Sequence, residues 1–121
     1  MTGRQGPFWE ALAEINPDVV ILDGPGDRYL FDPCIVGVAT RLGMDPVLVY
    51  DEQKMVDTLA AASGISEEEA IERLWTTTLD VWYGTGTPLI LWMVDMSKQS
   101  ADRPTRLVDI LTEEASSNGH G

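Results

Sequence analysis

Few residues in this chain have the chemistry of a reactive centre, and their spacing argues against most reactions. The single histidine, His120, lies in the closing "ASSNGHG", where a loose end does not hold the geometry of a general base. The single cysteine, Cys34, falls in the first turn of an expected helix, where the helix dipole lowers a thiol pKa. Its neighbours Ile35 and Val36 suit a small buried hydrophobe instead, and no histidine is at hand to activate it. Zinc needs a Cys/His set that is not present. "DGPGD" at 23–27 places two carboxylates around glycines but lacks the alternating acids and closing glutamate of a calcium loop, and turn chemistry accounts for it. No metal and no cofactor are expected.

"GTGTP" at 84–88 has the composition of a phosphate loop but neither the GxxxxGK[ST] nor the GxGxxG spacing. It also follows the C-terminal end of an expected helix. Carbonyls and partial negative charge face outward there, whereas phosphate is held by the free N–H groups of a helix start. The run is expected to stop the helix and turn into a strand, with Trp82 and Trp92 as core residues on either side. Tyr83, Thr85 and Thr87 would carry any function through protein contacts.

Charge is the strongest bulk signal. Twenty acids against eight bases give a formal net charge of −12 over 121 residues. Such a field repels nucleic acid, so direct DNA or RNA binding is not expected. Solubility, attraction to a basic surface on a partner protein, and mimicry of nucleic-acid charge remain open. One cysteine excludes an intrachain disulfide and fits a reducing compartment. No apolar signal core and no 18-residue apolar run is seen, so a soluble cytoplasmic protein without a membrane segment is expected.

The elements that would position these residues follow from periodicity. Phe8, Leu12 and Ile15 mark a first helix after Pro7. "VVIL" at 19–22 has the composition of a buried strand. Asp32 is an N-cap candidate with Pro33 behind it. Ile35, Val38, Ala39 and Leu42 keep helical spacing up to Gly43, which fits the left-handed residue past a helix end. "PVLVY" at 46–50 reads as a second strand. Asp51 then caps a helix lined by Met55, Leu59 and Ala62 and stopped by Gly64. Ser66 opens the next with a capping box: it accepts from Glu69 N–H, and Glu69 reaches back. Ile71, Leu74, Trp75, Thr78, Leu79 and Trp82 give this helix the strongest amphipathic stripe in the chain. "PLILWMV" at 88–94 is apolar throughout, as a central strand covered on both faces would be. A polar linker and a short helix after Pro104 precede the tail.

These elements predict an α/β or α+β fold: a small three-stranded sheet flanked by four to five helices. A single globular domain over 1–96 would be followed at 97–121 by the linker, the C-terminal helix and the tail. The first two strands suit a parallel pair joined by a right-handed crossover. Strand order does not follow from the sequence.

Much of the chain, about 21–91, resembles a family of small uncharacterised bacteriophage proteins. The matching residues are Asp23, Gly24, Arg41, Gly43, Tyr50, Asp51, Lys54, Glu68, Glu69, Ala70, Trp82, Gly84, Thr87 and Pro88. The chain departs from the pattern at Val81 and at Thr77 and Thr78. The resemblance implies a phage origin and a compact fold, with no reaction attached. Among the matched polar residues, Asp51 and Glu69 are explained by capping. Asp23, Arg41, Tyr50 and Lys54 would form one cluster at a sheet edge, either an ion-pair network or a small binding site.

The expectation is thus a non-enzymatic phage accessory protein in the host cytoplasm. It would bind a protein partner that bears a basic surface, inhibiting a host nucleic-acid enzyme or a defence factor in the sharper version. Glu69, Glu72, Asp80 and Tyr83 would form the acidic interaction face, with an exposed aromatic as anchor. Two alternatives stand beside it. One is a small ligand-binding or enzymatic domain using Asp23, Arg41, Tyr50 and Lys54. The other is a virion or assembly component that homo-oligomerises through Trp92 or the C-terminal helix.

Overall fold

The computed structural model describes residues 4–98 and 100–101. The chain divides into two units, Met1–Leu91 and Trp92–Gly121. The first is an α+β fold with a three-stranded mixed sheet and, among the described residues, three α-helices. That is fewer than the four to five expected; the helix expected after Pro104 lies outside the described residues. The second unit contains a short antiparallel pair, β4 (Val94–Asp95) with β5 (Ser100–Ala101). Its turn is held by Asp95, whose Oδ1 accepts from Ser97 N–H at 3.0 Å and Ser97 Oγ at 2.6 Å.

In the first unit, α1 (Pro7–Ile15) starts on Pro7 as expected and buries Leu12. The largest correction follows. Residues expected as a helix form a 3-10 turn (Asp32–Cys34) and then β1 (Ile35–Arg41). Both periods fit this stretch, since Ile35, Val38, Ala39 and Leu42 are helix-spaced. The β-branched Ile35, Val36, Val38 and Thr40, with Gly37 among them, favour the pleat. Exposed Val36, Val38 and Thr40 alternate with half-buried Ile35, Gly37 and Ala39. Leu42 and Gly43 form a two-residue hairpin loop between paired Arg41 and Met44. Gly43 is left-handed as expected (φ 80°), but for a hairpin turn and not a helix end.

β2 (Met44–Asp51) therefore pairs antiparallel with β1, not parallel with the 19–22 run. Its other edge pairs parallel with β3 (Leu89–Leu91), so β2 is the central strand. The 88–94 run, expected at the centre, supplies only an edge, and Leu89 and Leu91 are exposed. The parallel connection is the long excursion through α2 (Glu52–Ser63) and α3 (Glu67–Arg73). The 19–22 run is extended but pairs with no strand of this sheet. Val20 N–H donates to Gly86 O at 3.0 Å, and Leu22 N–H to the Tyr50 hydroxyl at 2.9 Å.

The caps expected from Asp51, Gly64 and Ser66 form. Asp51 Oδ1 accepts from Lys54 N–H at 3.1 Å, and α2 ends on left-handed Gly64 (φ 66°). Ser66 Oγ accepts from Glu69 N–H at 3.1 Å. The return arm of the capping box does not form: the Glu69 carboxylate accepts from Arg73 Nη2 at 2.9 Å. The core joins Leu48 and Tyr50 of β2 to Met55, Val56 and Leu59 of α2, with Phe31, Cys34, Ala70 and Leu74 around them. Ala62, expected on the inner face of α2, is exposed.

"YGTGTP" is not the helix stop expected, since helical form ends at Thr78. Thr87 clamps a tight turn: its Oγ1 accepts from Tyr83 N–H at 2.8 Å and donates to Gly84 O at 2.6 Å. Gly86 is buried against the backbone of 18–19. A Cβ there would run into the Asp18 carbonyl oxygen, 2.8 Å from its carbon and 3.1 Å from Val19 Cα. Since backbone and not a flexible side chain fills that space, Gly86→Ala is expected to destabilise the fold by roughly 1–3 kcal/mol, an overpacking cost. Urea denaturation checks this through a lowered midpoint at unchanged m.

Candidate functional site

Of the four residues expected to cluster, Arg41 stands apart from Tyr50. Tyr50 is fully buried, with its hydroxyl accepting from Leu22 N–H. Arg41 is exposed at the hairpin end of β1, six residues beyond the Ile35 that pairs with Tyr50. That is about 20 Å at the usual strand rise. Lys54 is exposed in the first turn of α2. Asp23 is linked to Tyr50 through its neighbour Leu22.

The cation that meets Asp23 is Arg4, which sequence reasoning missed. Arg4 Nη2 donates to Asp23 Oδ1 at 3.2 Å and to Arg28 O at 2.7 Å. Its Nε and Nη2 also grip Asp32 at 3.1 and 3.2 Å, and its guanidinium carbon lies 5.0 Å from the Tyr29 ring centre. Asp32, expected as a helix cap, is thus an ion-pair partner. Burial works against the Arg4 charge and is the largest single influence. Hydrogen bonds and charge from Asp32 and Asp23 together outweigh it, so the guanidinium is held above its ordinary value. The signal for Arg4 in the sequence was thin: it is the only cation before Arg28.

The strongest helical stripe breaks where threonines accumulate. Thr76 Oγ1 donates to Glu72 O at 2.8 Å and Thr77 Oγ1 to Arg73 O at 2.6 Å. Hydroxyls bonded back to the preceding turn bend a helix and loosen its ladder. Leu74–Thr78 widens into a π turn, in which Leu79 N–H donates to Leu74 O at 2.8 Å. Leu74 is buried, and Ile71, Trp75, Thr78 and Leu79 are half-buried, as the stripe predicts. Trp82, the last member, is 74% exposed and is no core residue. Trp75 is held inward by Glu52, a buried acid that sequence reasoning left as part of a helix start. Trp75 Nε1 donates to Glu52 Oε2 at 2.6 Å.

Two adjoining clefts open between the 20–25 segment and the π turn, sharing Asp23, Thr77 and Thr78. One, of about 350 Å³, is lined also by Gly24, Pro25, Leu59, Ser63 and Arg73. The other, of about 230 Å³, is lined also by Val20, Ile21, Leu22 and Tyr83. Beside them Val81, Trp82 and Tyr83 form a run of exposed apolar surface. Glu69, Glu72, Asp80 and Tyr83, the expected acidic face, are all exposed. They do not share one helix, since only Glu69 and Glu72 lie on α3 and the chain leaves helical form before Asp80. Cys34 is buried, and burial pushes its thiol up despite a 3.6 Å contact with Thr58 Oγ1, which suits packing and not nucleophilic attack. Among the described residues no group of three His, Cys, Asp or Glu side chains is placed to hold a metal, and no helix is long and apolar enough to cross a membrane.

Comparison with protein-family models, with curated proteins and with solved structures finds no match to this chain.

Tyr50 supports this region from inside, and its removal is measurable. Burial pushes its phenol up to about 12, although the Leu22 hydrogen bond favours the ionised form. An unfolded tyrosine ionises near pH ~10. Between those values the native state keeps a proton that the unfolded state has lost, so stability falls as pH rises through that window. Tyr50→Phe strands the Leu22 N–H and is expected to cost roughly 1–3 kcal/mol at neutral pH. The variant should also lose its share of the alkaline decline. Denaturation midpoints at pH 7 and through the alkaline range check both.

Proposed function

We propose that this protein works by binding another protein and not by catalysis, with Trp82 as the anchor of the contact surface. The carrying observation is the 74% exposure of Trp82 between half-exposed Val81 and Tyr83. A large aromatic left in water is costly unless it serves a contact, and tryptophan is enriched among residues that dominate interface energetics. The exposed acids Glu69, Glu72 and Asp80 nearby in the chain, together with the net charge of −12, favour a partner whose surface is basic around an apolar pocket. Charge steers the encounter and Trp82 slows release. The resemblance to small phage proteins extends the proposal to an accessory role in the host cytoplasm, against a nucleic-acid enzyme or a defence factor.

Immobilised protein exposed to host lysate at low and high salt tests this reading. A specific partner is expected at low salt and lost at high salt, and Trp82→Ala should weaken its retention about tenfold or more, the scale of a hot-spot residue. Equal capture by wild type and variant, or no salt-sensitive partner, would contradict it.

A further inference from the structure

We infer that the smaller cleft, between the 20–23 segment and the π turn, is a receptor slot for one lysine side chain of the protein partner. This rests on the protein-binding reading above and specifies its chemistry. The cleft holds about 230 Å³, room for a single long side chain, and adjoins the larger one at Asp23, Thr77 and Thr78. Val20, Ile21 and Leu22 supply apolar wall along an extended segment, suited to the four-carbon stem of lysine. Asp23 is the one charged residue in the lining, with the hydroxyls of Thr78 and Tyr83 beside it to receive the further N–H donors of an ammonium.

The state of the Asp23 carboxylate distinguishes lysine from arginine. Its Oδ1 is already held by Arg4 at 3.2 Å, and among the described residues its Oδ2 accepts no hydrogen bond. Asp23 remains 57% exposed at the side chain. A guanidinium gains its advantage from gripping both oxygens, whereas an ammonium acts as a point charge and needs one. Anions are disfavoured by the same carboxylate. Arg73, in the neighbouring cleft, pairs with Glu69 at 2.9 Å. Tyr83 is next in sequence to Trp82, so a partner seated on the tryptophan brings a flanking basic residue to the slot.

The test is an amide-resolved NMR titration of the full chain with a blocked Gly-Lys-Gly peptide and with the same peptide acetylated at Nζ. The lysine peptide should shift the amides of 20–23 and 77–83 saturably, and acetylation should weaken this at least tenfold. Asp23→Asn should weaken it similarly, while Arg4→Ala, which frees the second carboxylate oxygen, should leave it equal or tighter. Shifts that are absent, lie elsewhere or are the same for both peptides would overturn the slot, and that comparison needs no variant. Loss of binding in both variants would also overturn it, since Asp23 would then act only through the Arg4 clamp. Trp82-dependent capture surviving such a failure would leave the broader reading standing and remove the slot alone.

Discussion

The hydroxyl of Tyr50 holds an extended segment that pairs with no strand of the three-stranded sheet. With β1 and β3 on its two sides, β2 satisfies its own ladder, and the apolar run at 19–22 finds other partners for its amides. Leu22 N–H finds the phenol at 2.9 Å, and Val20 N–H finds the Gly86 carbonyl at 3.0 Å. Buried amides left without such partners are expensive, so these two bonds set where the segment runs. Its position then decides that Asp23 faces the π turn, that Arg4 can bridge Asp23 to Asp32, and that residue 86 has no room for a side chain.

The second constraint is the threonine run. In a regular helix Trp82 would continue the stripe begun by Ile71 and Leu74 and would enter the core. Back-bonding of Thr76 and Thr77 widens the last turn, Leu79 closes it, and the chain turns away with Val81, Trp82 and Tyr83 on the surface. The same turn builds one wall of both clefts. One local departure from helix geometry thus generates the aromatic anchor and the slot proposed beside it.

What was legible in the sequence is what short-range chemistry decides. Asp51, Gly64 and Ser66 announce their caps because each acts within a few residues, and β2 was readable from its apolar run. β1 is ambiguous in the sequence because the same residues satisfy both a 3.6 and a 2.0 period, and β-branching decides between them. The 19–22 run has strand composition; that its amides bond to the Tyr50 hydroxyl and the Gly86 carbonyl and not to a strand is decided by contacts 28 and 66 residues away. Trp82 was assigned to the core by extending a stripe past the point where hydroxyls broke it. The site was less legible still. Asp23 of the expected cluster lines both clefts described above, and its cation, Arg4, lies 19 residues away with nothing local to mark it.

The central claim is that the π turn carries Trp82 out of the core, and hydroxyl-radical footprinting of the isolated protein tests it most directly. Trp82 is expected to be oxidised well ahead of half-buried Trp75, whose indole is held on Glu52. Protection of Trp82 equal to that of Trp75 would mean that the helix continues through it, and would contradict both the surface and the function argued from it.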